Sequence, residues 1–339
     1  MNILVTGGAG FIGSHTCVEL LDQGHHVVVV DNLSNSKEAA LRRVEKICAK
    51  SVQFYRTDLM DKEGLDRVLS DSSFDSVIHF AGLKAPGESV SQPLAYYQNN
   101  VTGTLNLCEA MSRHGVKNLV FSSSATVYGD ADTVPLHESL PVSSANPINP
   151  YGRSKVMVEE ILQDQHSADP EWNIALLRYF NPVGAHPSGL LGEDPNGIPI
   201  NLMPYITQVV IGKLDKLTVF GDDYPTPDGT PLRDYIHVMD LAKGHLAAID
   251  RLASNPGVVI YNLGAGRGVS VFELVKAFEK VNGVTIPLQV GGRRSGDLPT
   301  SYTDTSLAKK ELHWQAELSI EDICRDAWRW QQQNPQGFD

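Results

Sequence analysis

Cysteine is scarce in this chain. Its four residues, Cys17, Cys48, Cys108 and Cys324, stand far apart with no C-x-x-C pair. That spacing argues against a disulfide framework or a thiolate metal centre, so the four read as free buried thiols and no metal site is expected. Long apolar runs are missing too: a spanning helix needs ~18 residues, whereas the run "VVVV" at 27–30 is strand-sized. The start "MNILVTGG" has no basic flank and no signal-like apolar segment, so a cytoplasmic location is expected. A basic excess is also lacking, with 28 Lys and Arg against 40 Asp and Glu and a net charge of −12. This argues against nucleic acid or a membrane surface as a partner, because phosphate backbones favour basic faces. A phosphate-bearing small molecule stays open, since a few local Arg and Lys suffice for it. Neither low-complexity sequence nor an internal repeat is apparent.

What is present is an alternation of two textures. At 339 residues the chain exceeds one compact core, so two domains or one large α/β unit is expected. "NILVTG" (2–7), "HVVVVD" (26–31), "VQFYRTD" (52–58), "SVIHFAG" (76–82), "NLVFSSS" (118–124) and "NIALLRYFN" (173–181) read as strands. Helical segments separate them, the first being "IGSHTCVELLDQG" (12–24), ended by Gly24. Short apolar strands alternating with helices predict an α/β fold with a doubly wound parallel Rossmann sheet. Past residue 181 the stretch "NPVGAHPSGLLGEDPNGIP" is rich in Pro and Gly and reads as a long loop. The expected division is a nucleotide-binding domain over 1–180 and a smaller mixed α/β substrate domain over 181–339. The chain is free to cross between them, and the second domain closes over the carboxyl ends of the strands.

The stretch "GGAGFIG" (7–13) lies between the first strand and the first helix, and Asp31 ends the next strand. Gly7 and Gly10 let the backbone turn and approach a pyrophosphate, Gly13 lets helix pack on strand, and the helix start offers free N–H groups. The spacing G-x-x-G-x-x-G differs slightly from the single-gap dehydrogenase form. The Asp31 carboxylate suits ribose hydroxyls and repels a 2′-phosphate, which points to NAD rather than NADP. A second glycine cluster, "NLGAGRG" (262–268), has no acid at the matching distance, since Leu288 stands there, and reads as a loop.

"NPYGRSKVMVEEIL" (149–162) carries the chemistry. Pro150 suits a helix start, which puts Tyr151 and Lys155 four apart on one face. An ordinary phenol, with a pKa of ~10, is a poor base, and a nearby ammonium and a cationic nicotinamide would lower it. Upstream, the strand-end serines at 122–124 include Ser124, placed to hold a reacting hydroxyl and share its proton with Tyr151.

With "DNLSNS", "HFAGLKAPGES", "FSSSATVYGD", "LLRYFNPVGAHPSG", "RDYIHVMDLA" and "RRSGDLP", these motifs resemble the extended short-chain dehydrogenase/reductase family. Within it the chain is similar, over essentially its whole length, to the UDP-hexose 4-epimerases. The resemblance implies a base, Tyr151, with Lys155 and Ser124 as catalytic partners, and a 4-keto sugar that turns over in the site with no net redox change. It also implies an NAD site formed by Gly7, Gly10, Phe11, Ile12, Gly13, Asp31, Asn32, Leu33, Ser34, Asn35, Ser36, Asp58 and Leu59. Phe80, Ala81, Gly82, Leu83, Lys84, Asn99, Ser122, Tyr151, Lys155 and Phe180 complete that site, with Lys84 near the phosphates. The UDP-sugar falls to Lys84, Ser124, Tyr151, Asn181, Asn201, Leu202, Thr218, Val219, Phe220, Arg233, Arg294 and Asp297. Arg233 and Arg294 make independent sense as diphosphate clamps, because guanidinium matches phosphate bidentately. A homodimer is the family expectation.

A nucleotide-sugar 4,6-dehydratase is the alternative within the family. It needs an acid pair beside the catalytic Ser or Thr, and Ser124 is instead followed by Ala125 and Thr126. A dinucleotide-sensing protein without catalysis would tend to lose the Tyr–Lys pair. Ser301 stands where family members restricted to plain hexoses carry a bulky Tyr, with Tyr302 offset by one. A serine there leaves room for an N-acetyl group, so turnover of UDP-N-acetylhexosamines is expected as well. Blander readings take the rest: Asp240 as a helix cap, His25, His26 and His237 without a metal role, and "SLAKKELHW" and "WRWQQQ" as helical packing.

Overall fold

A computed structural model of the chain describes residues 1–131, 133–294 and 296–338. The first half forms β1 (Asn2–Thr6), α1 (Phe11–Asp22), β2 (His26–Asp31), α2 (Glu38–Cys48), β3 (Gln53–Arg56), α3 (Lys62–Asp71) and β4 (Ser76–His79). Short helices α4 (Pro86–Ser91) and α5 (Pro93–Tyr96) run through a π-helical turn, Tyr97–Thr102, into α6 (Gly103–Arg113). Then come β5 (Asn118–Ser124), α7 (Pro150–Ala168) and β6 (Asn173–Tyr179).

The pattern of side chains explains the layering. Along β1 and β2, Ile3, Val5, Val27 and Val29 face α1 and α2, while Leu4, Val28 and Val30 face the side covered by α3, α6 and α7. Runs that are apolar on both faces suit a sheet sandwiched between helices, because every side chain finds apolar cover. Gly24 takes φ +83° just past α1, where only glycine turns left-handed without strain.

The chain leaves the sheet at β7 (Asn181–Val183), near the expected division at 180/181, and forms α8 (Leu202–Val210), β8 (Leu217–Phe220), β9 (Leu232–Arg233) and β10 (Tyr235–His237). It then returns: α9 (Val238–Leu252) joins the layer of α1, and β11 (Val258–Leu263) pairs in parallel with β6. Residues 238–263 therefore belong to the sheet layer, not to the smaller unit. "VVIYNL" is an edge strand, half-buried over Val258–Ile260 and buried over Tyr261–Leu263, and its place follows from pairing, which the preceding Pro- and Gly-rich texture hides. The sheet has seven strands in the order β3-β2-β1-β4-β5-β6-β11, all parallel.

The remainder, β12 (Val269–Ser270), α10 (Val271–Asn282), β13 (Leu288–Gly291), β14 (Thr300–Ser301), α11 (Ser306–Glu311) and α12 (Ile320–Gln333), includes short two- and three-stranded sheets of mixed direction. Its own core gathers Met203, Ile206, Leu217, Leu274, Phe278, Ile323 and Cys324. No helix among the described residues is long and apolar enough to cross a membrane.

One expected cap is corrected. His237, not Asp240, caps α9, its ring nitrogen accepting from Met239 N–H at 3.1 Å. Asp240 lies within the first turn, and its buried carboxylate accepts from the N–H groups of Glu317 and Leu318 at 3.0 and 2.8 Å. A carboxylate already committed to a neighbouring loop cannot also close its own helix end.

Candidate active site

The sheet order reverses between β1 and β4, and ligands in such sheets bind at that crevice. Three loops converge there. In the first, Gly7 takes φ +71°, and a Cβ on it would stand 2.6 Å from Ala81 N. A Cβ on Gly13 would run into the Gly7 carbonyl oxygen. Both positions therefore require glycine. No side chain caps α1 at Gly10, which leaves the N-terminal turn at Phe11 and Ile12 to an outside anion.

The second loop follows β2. Asp31 accepts from Ala9 N–H at 3.1 Å, Leu33 N–H at 2.9 Å and the Ser36 hydroxyl at 2.8 Å. A carboxylate has about four acceptor positions, so one remains for a ribose hydroxyl. Asn32 donates to Asp58 at 2.8 Å, Ser34 N–H donates to Asn32 Oδ1, and buried Leu59 packs beside Gly103.

The third loop, Phe80–Lys84, follows β4. Phe80 packs against His245 with ring centres 4.7 Å apart and the planes tilted by 53°. Asn100, in the π-helical turn, accepts from Leu83 N–H at 2.8 Å and from Asn99 Nδ2, and donates to Leu83 O and Ser154 Oγ, both at 3.0 Å. It therefore fastens this loop to α7. Nothing in the spacing of "YYQNNVTG" singled out Asn100, because its role depends on the extra residue that the π-turn accommodates.

The Pro150 start of α7 places Tyr151 and Lys155 on one face, against the end of β5. Asn149 caps the helix, accepting from Gly152 N–H at 2.9 Å. Lys155 is buried, donates to the Ser122 carbonyl at 2.6 Å, and holds its ammonium 5.9 Å from the Tyr151 ring centre. Burial pushes Lys155 down to about 8, opposed by the Glu159 carboxylate one turn on. Burial pushes the Tyr151 phenol up, with the Ser124 hydroxyl pulling the other way. The expected lowering combines an ammonium with a cationic nicotinamide, and in the chain alone burial is the larger influence on the phenol.

Beneath the pair lies a network the sequence did not announce. Glu159 accepts two bonds from Arg178, at 3.0 and 2.6 Å, and one from the Ser123 hydroxyl. Arg178 also donates to Tyr128 at 3.0 Å. Both ends of the ion pair are 3% exposed, so α7 is locked to β5 and β6 at the depth of Lys155. Ser124 Oγ accepts from Thr126 N–H and Thr126 Oγ1 at 3.2 and 3.0 Å, and no carboxylate stands at the two positions after it.

The smaller unit presents its own charged groups. The Arg233 and Arg294 guanidiniums both approach Asp297, at 3.7 and 2.9 Å, and Arg294 lies over the Phe220 ring at 5.0 Å. Ser301 on β14 is the register partner of Arg233 on β9. Tyr302 packs on the other side, 3.4 Å from where a Gly268 Cβ would stand. Asn201 and Leu202 open α8, and Asn181 opens β7. Thr218 and Phe220 point out of β8, whereas Val219 and Phe180 are buried and leave only their backbone to a ligand. The glycine cluster 264–268 is indeed a loop; Asp234 takes the Ala265 and Gly266 N–H groups, at 2.6 and 3.1 Å, that a phosphate would need.

These residues fit a dinucleotide, because the two glycine positions leave backbone room no Cβ could share. The comparisons agree. The NAD dependent epimerase/dehydratase family model matches residues 3–264. The chain is 58% identical to a UDP-glucose 4-epimerase of Bacillus subtilis, over 100% of this chain and 99% of that one. Its fold superposes with TM-score 0.96 on the Bifidobacterium longum UDP-glucose 4-epimerase solved with NAD+ and UDP, at 54% identity and full coverage of both chains. A UDP-Glc/GlcNAc 4-epimerase of Campylobacter jejuni is 39% identical, with TM-score 0.84 over 98% of this chain and 99% of that one. The chain belongs to the NAD dependent epimerase/dehydratase family.

Proposed function

We propose that this chain interconverts UDP-galactose and UDP-glucose by NAD-dependent 4-epimerisation, with Tyr151 as the base. One observation carries the reading: Tyr151 and Lys155 stand on α7 against the carboxyl end of β5, with Lys155 Nζ 3.8 Å from where a Gly82 Cβ would stand, in the loop beside the glycine cradle. Bound in that cradle, NAD supplies a reversible hydride acceptor, so a 4-hydroxyl can pass through a keto group and return as its epimer.

The chain's own residues do the rest. Ser124 holds the 4-hydroxyl, and Tyr151 takes its proton and later returns it. Because burial raises the phenol, Tyr151 needs a second cation in the cleft to act as a base near neutrality. Lys155, fixed by the Ser122 carbonyl, keeps its ammonium beside the ring. Gly7, Gly10, Gly13, Asp31 and Lys84 hold the cofactor, while Arg233 and Arg294 receive the diphosphate and release Asp297 to do so. A 4,6-dehydratase is disfavoured by Ala125 and Thr126, which offer no acid for removal of a 6-hydroxyl.

The same site suits the N-acetylhexosamine pair. Ser301, in register with Arg233, places a hydroxymethyl group where a phenol ring would fill the space beside the sugar, and the Campylobacter jejuni relative is named for both substrates. A homodimer is supported by apolar side chains left outward on α4, α5 and α6, where Val90, Leu94 and Leu105 are exposed. A cytoplasmic setting fits the four free thiols.

The test is to denature purified protein, identify the released nucleotide by mass and absorbance, and incubate intact protein with UDP-galactose and UDP-N-acetylgalactosamine. Bound NAD and formation of the C4 epimers are expected. Recovery of NADP, or accumulation of a 4-keto product, would overturn the reading.

A further inference from the structure

The loops after β2 and β4 flank the glycine loop, because β1 lies between those two strands in the sheet. The segment joining β7 to α8 touches both flanks. Glu193 Oε1 accepts from Lys84 Nζ at 3.3 Å, at the end of the β4 loop, and from Asn201 Nδ2 at 2.8 Å. Asp194 Oδ2 accepts from Lys37 Nζ at 2.8 Å, and Lys37 directly follows the loop Asp31–Ser36. Asn196 Nδ2 reaches Asn35 Oδ1, inside that same loop, at 3.3 Å. Two consecutive carboxylates thus span the crevice in which the glycine loop sits.

The two halves of these ion pairs differ in burial. Glu193 and Asp194 are 10% and 16% exposed, against 48% and 42% for Lys84 and Lys37. The carboxylates are the fixed side. Trp330 Nε1 donates to the Glu193 carbonyl at 3.2 Å, a Cβ on Gly192 would run into the Trp330 indole, and Phe338 N–H donates to Asp194 at 2.9 Å. The segment is therefore anchored on α12 and the C-terminal tail, and the lysines fold onto it from the cradle's two rims. An ammonium has three donors, so Lys84 can serve Glu193 and a phosphate together.

We propose that Glu193 and Asp194 form a two-point clasp across the dinucleotide cradle and set how long NAD stays bound. This rests on the NAD reading given above. In a reaction without net redox change the cofactor accepts and then gives back within one turnover, so a cofactor that left midway would abandon its substrate as a ketone. Departure over the glycine loop requires both rims to part from the clasp, and the loss of either pair lowers that barrier.

The experiment measures release directly. Protein loaded with isotope-labelled NAD is chased with unlabelled NAD and desalted at intervals, for the parent, for Glu193→Gln/Asp194→Asn and for Lys37→Gln. The double variant is expected to release label about tenfold faster, with a smaller acceleration in Lys37→Gln, because two partly desolvated ion pairs are lost in one and a single pair in the other. Added salt is expected to speed release from the parent and to change the double variant little. Lys37→Gln alters only a half-exposed side chain, so it decides the matter if the double variant fails to fold. Unchanged release in folded variants overturns the clasp and leaves the cofactor reading standing. A parent that takes up no NAD overturns that reading, and the clasp with it.

Discussion

At the cofactor end of the cleft the chain is constrained by its own backbone: Gly7 and Gly13 admit no Cβ, and Asp31 is fixed by two bonds within its loop and one from Ala9 N–H in the glycine loop. At the sugar end the constraint lies in side chains, with Arg233 on the two-residue β9 and Arg294 in the loop after β13 meeting over Asp297, and Arg294 resting on Phe220. The first region is preformed, so a ligand loses little in ordering it. The second consists of ion pairs that, on the reading proposed above, an incoming diphosphate would exchange, which suits a substrate that enters and leaves each turnover. On the proposed reading, retention falls to the cradle with the Glu193–Asp194 clasp across it, and turnover to the sugar end.

The sharpest way to break that division is Tyr151→Phe. On the proposed reading it removes the base and leaves the cradle intact, so kcat should fall by about 10²–10⁴-fold, the range for loss of a positioned acid–base group. NAD content after denaturation should match the parent. Near-parental kcat would remove Tyr151 from the chemistry, and lost NAD would show that the cradle depends on more than backbone.

Next in size is Glu159→Ala. This deletion strands the Arg178 guanidinium, which is 3% exposed, behind the catalytic helix. Breaking one side of a buried pair typically costs about 3–5 kcal/mol, and urea unfolding reads it. If stability fell by less than about 1 kcal/mol, the pair would be behaving as a solvated one, and α7 would owe its position to packing alone.

The contrast between the two walls also explains what was legible in the sequence. Strands apolar on both faces, a glycine loop at a strand–helix junction and a Tyr–Lys pair four apart are short-range patterns, and each was placed where the structure has it. Steric necessity writes itself into local spacing. Asn100, Glu159 with Arg178, and Glu193 act through partners 17, 19 and 109 residues away. No local period marks such residues. The same holds for β11, whose place in the sheet comes from pairing with β6 after an excursion through the smaller unit. The cap of α9 escapes the sequence for a related reason: Asp240 looks like a cap within its own segment, and its true partners, Glu317 and Leu318, lie far along the chain.

Ser301→Tyr sharpens the sugar wall. The change adds a phenol ring beside Arg233, whose register partner is Ser301. Overpacking of this kind costs about 1–3 kcal/mol where it meets a ligand group, so kcat/KM for the N-acetylhexosamine pair should fall by roughly ten- to a hundredfold. The plain hexose pair should change little. Equal losses on both pairs would mean that the ring disturbs Arg233 and not the sugar, and absence of acetamido turnover in the parent would sink the assignment of Ser301.

The smallest expected effect belongs to Arg294→Lys, and it tests whether the sugar wall binds or reacts. Arg294 is 55% exposed, pairs with Asp297 at 2.9 Å and stacks 5.0 Å from the Phe220 ring centre. Lysine keeps the charge but loses both the planar stack and the two-pronged donation that suits a phosphate. An exposed cation–π contact is worth about 0.5–1 kcal/mol, so KM for the UDP-sugar should rise about two- to fivefold. A diphosphate held by Arg294 would be bound equally in ground and transition states, so kcat should stay near the parental value. A fall in kcat matching the fall in kcat/KM would place Arg294 at the reacting carbon, and the two walls would then share the chemistry instead of dividing it.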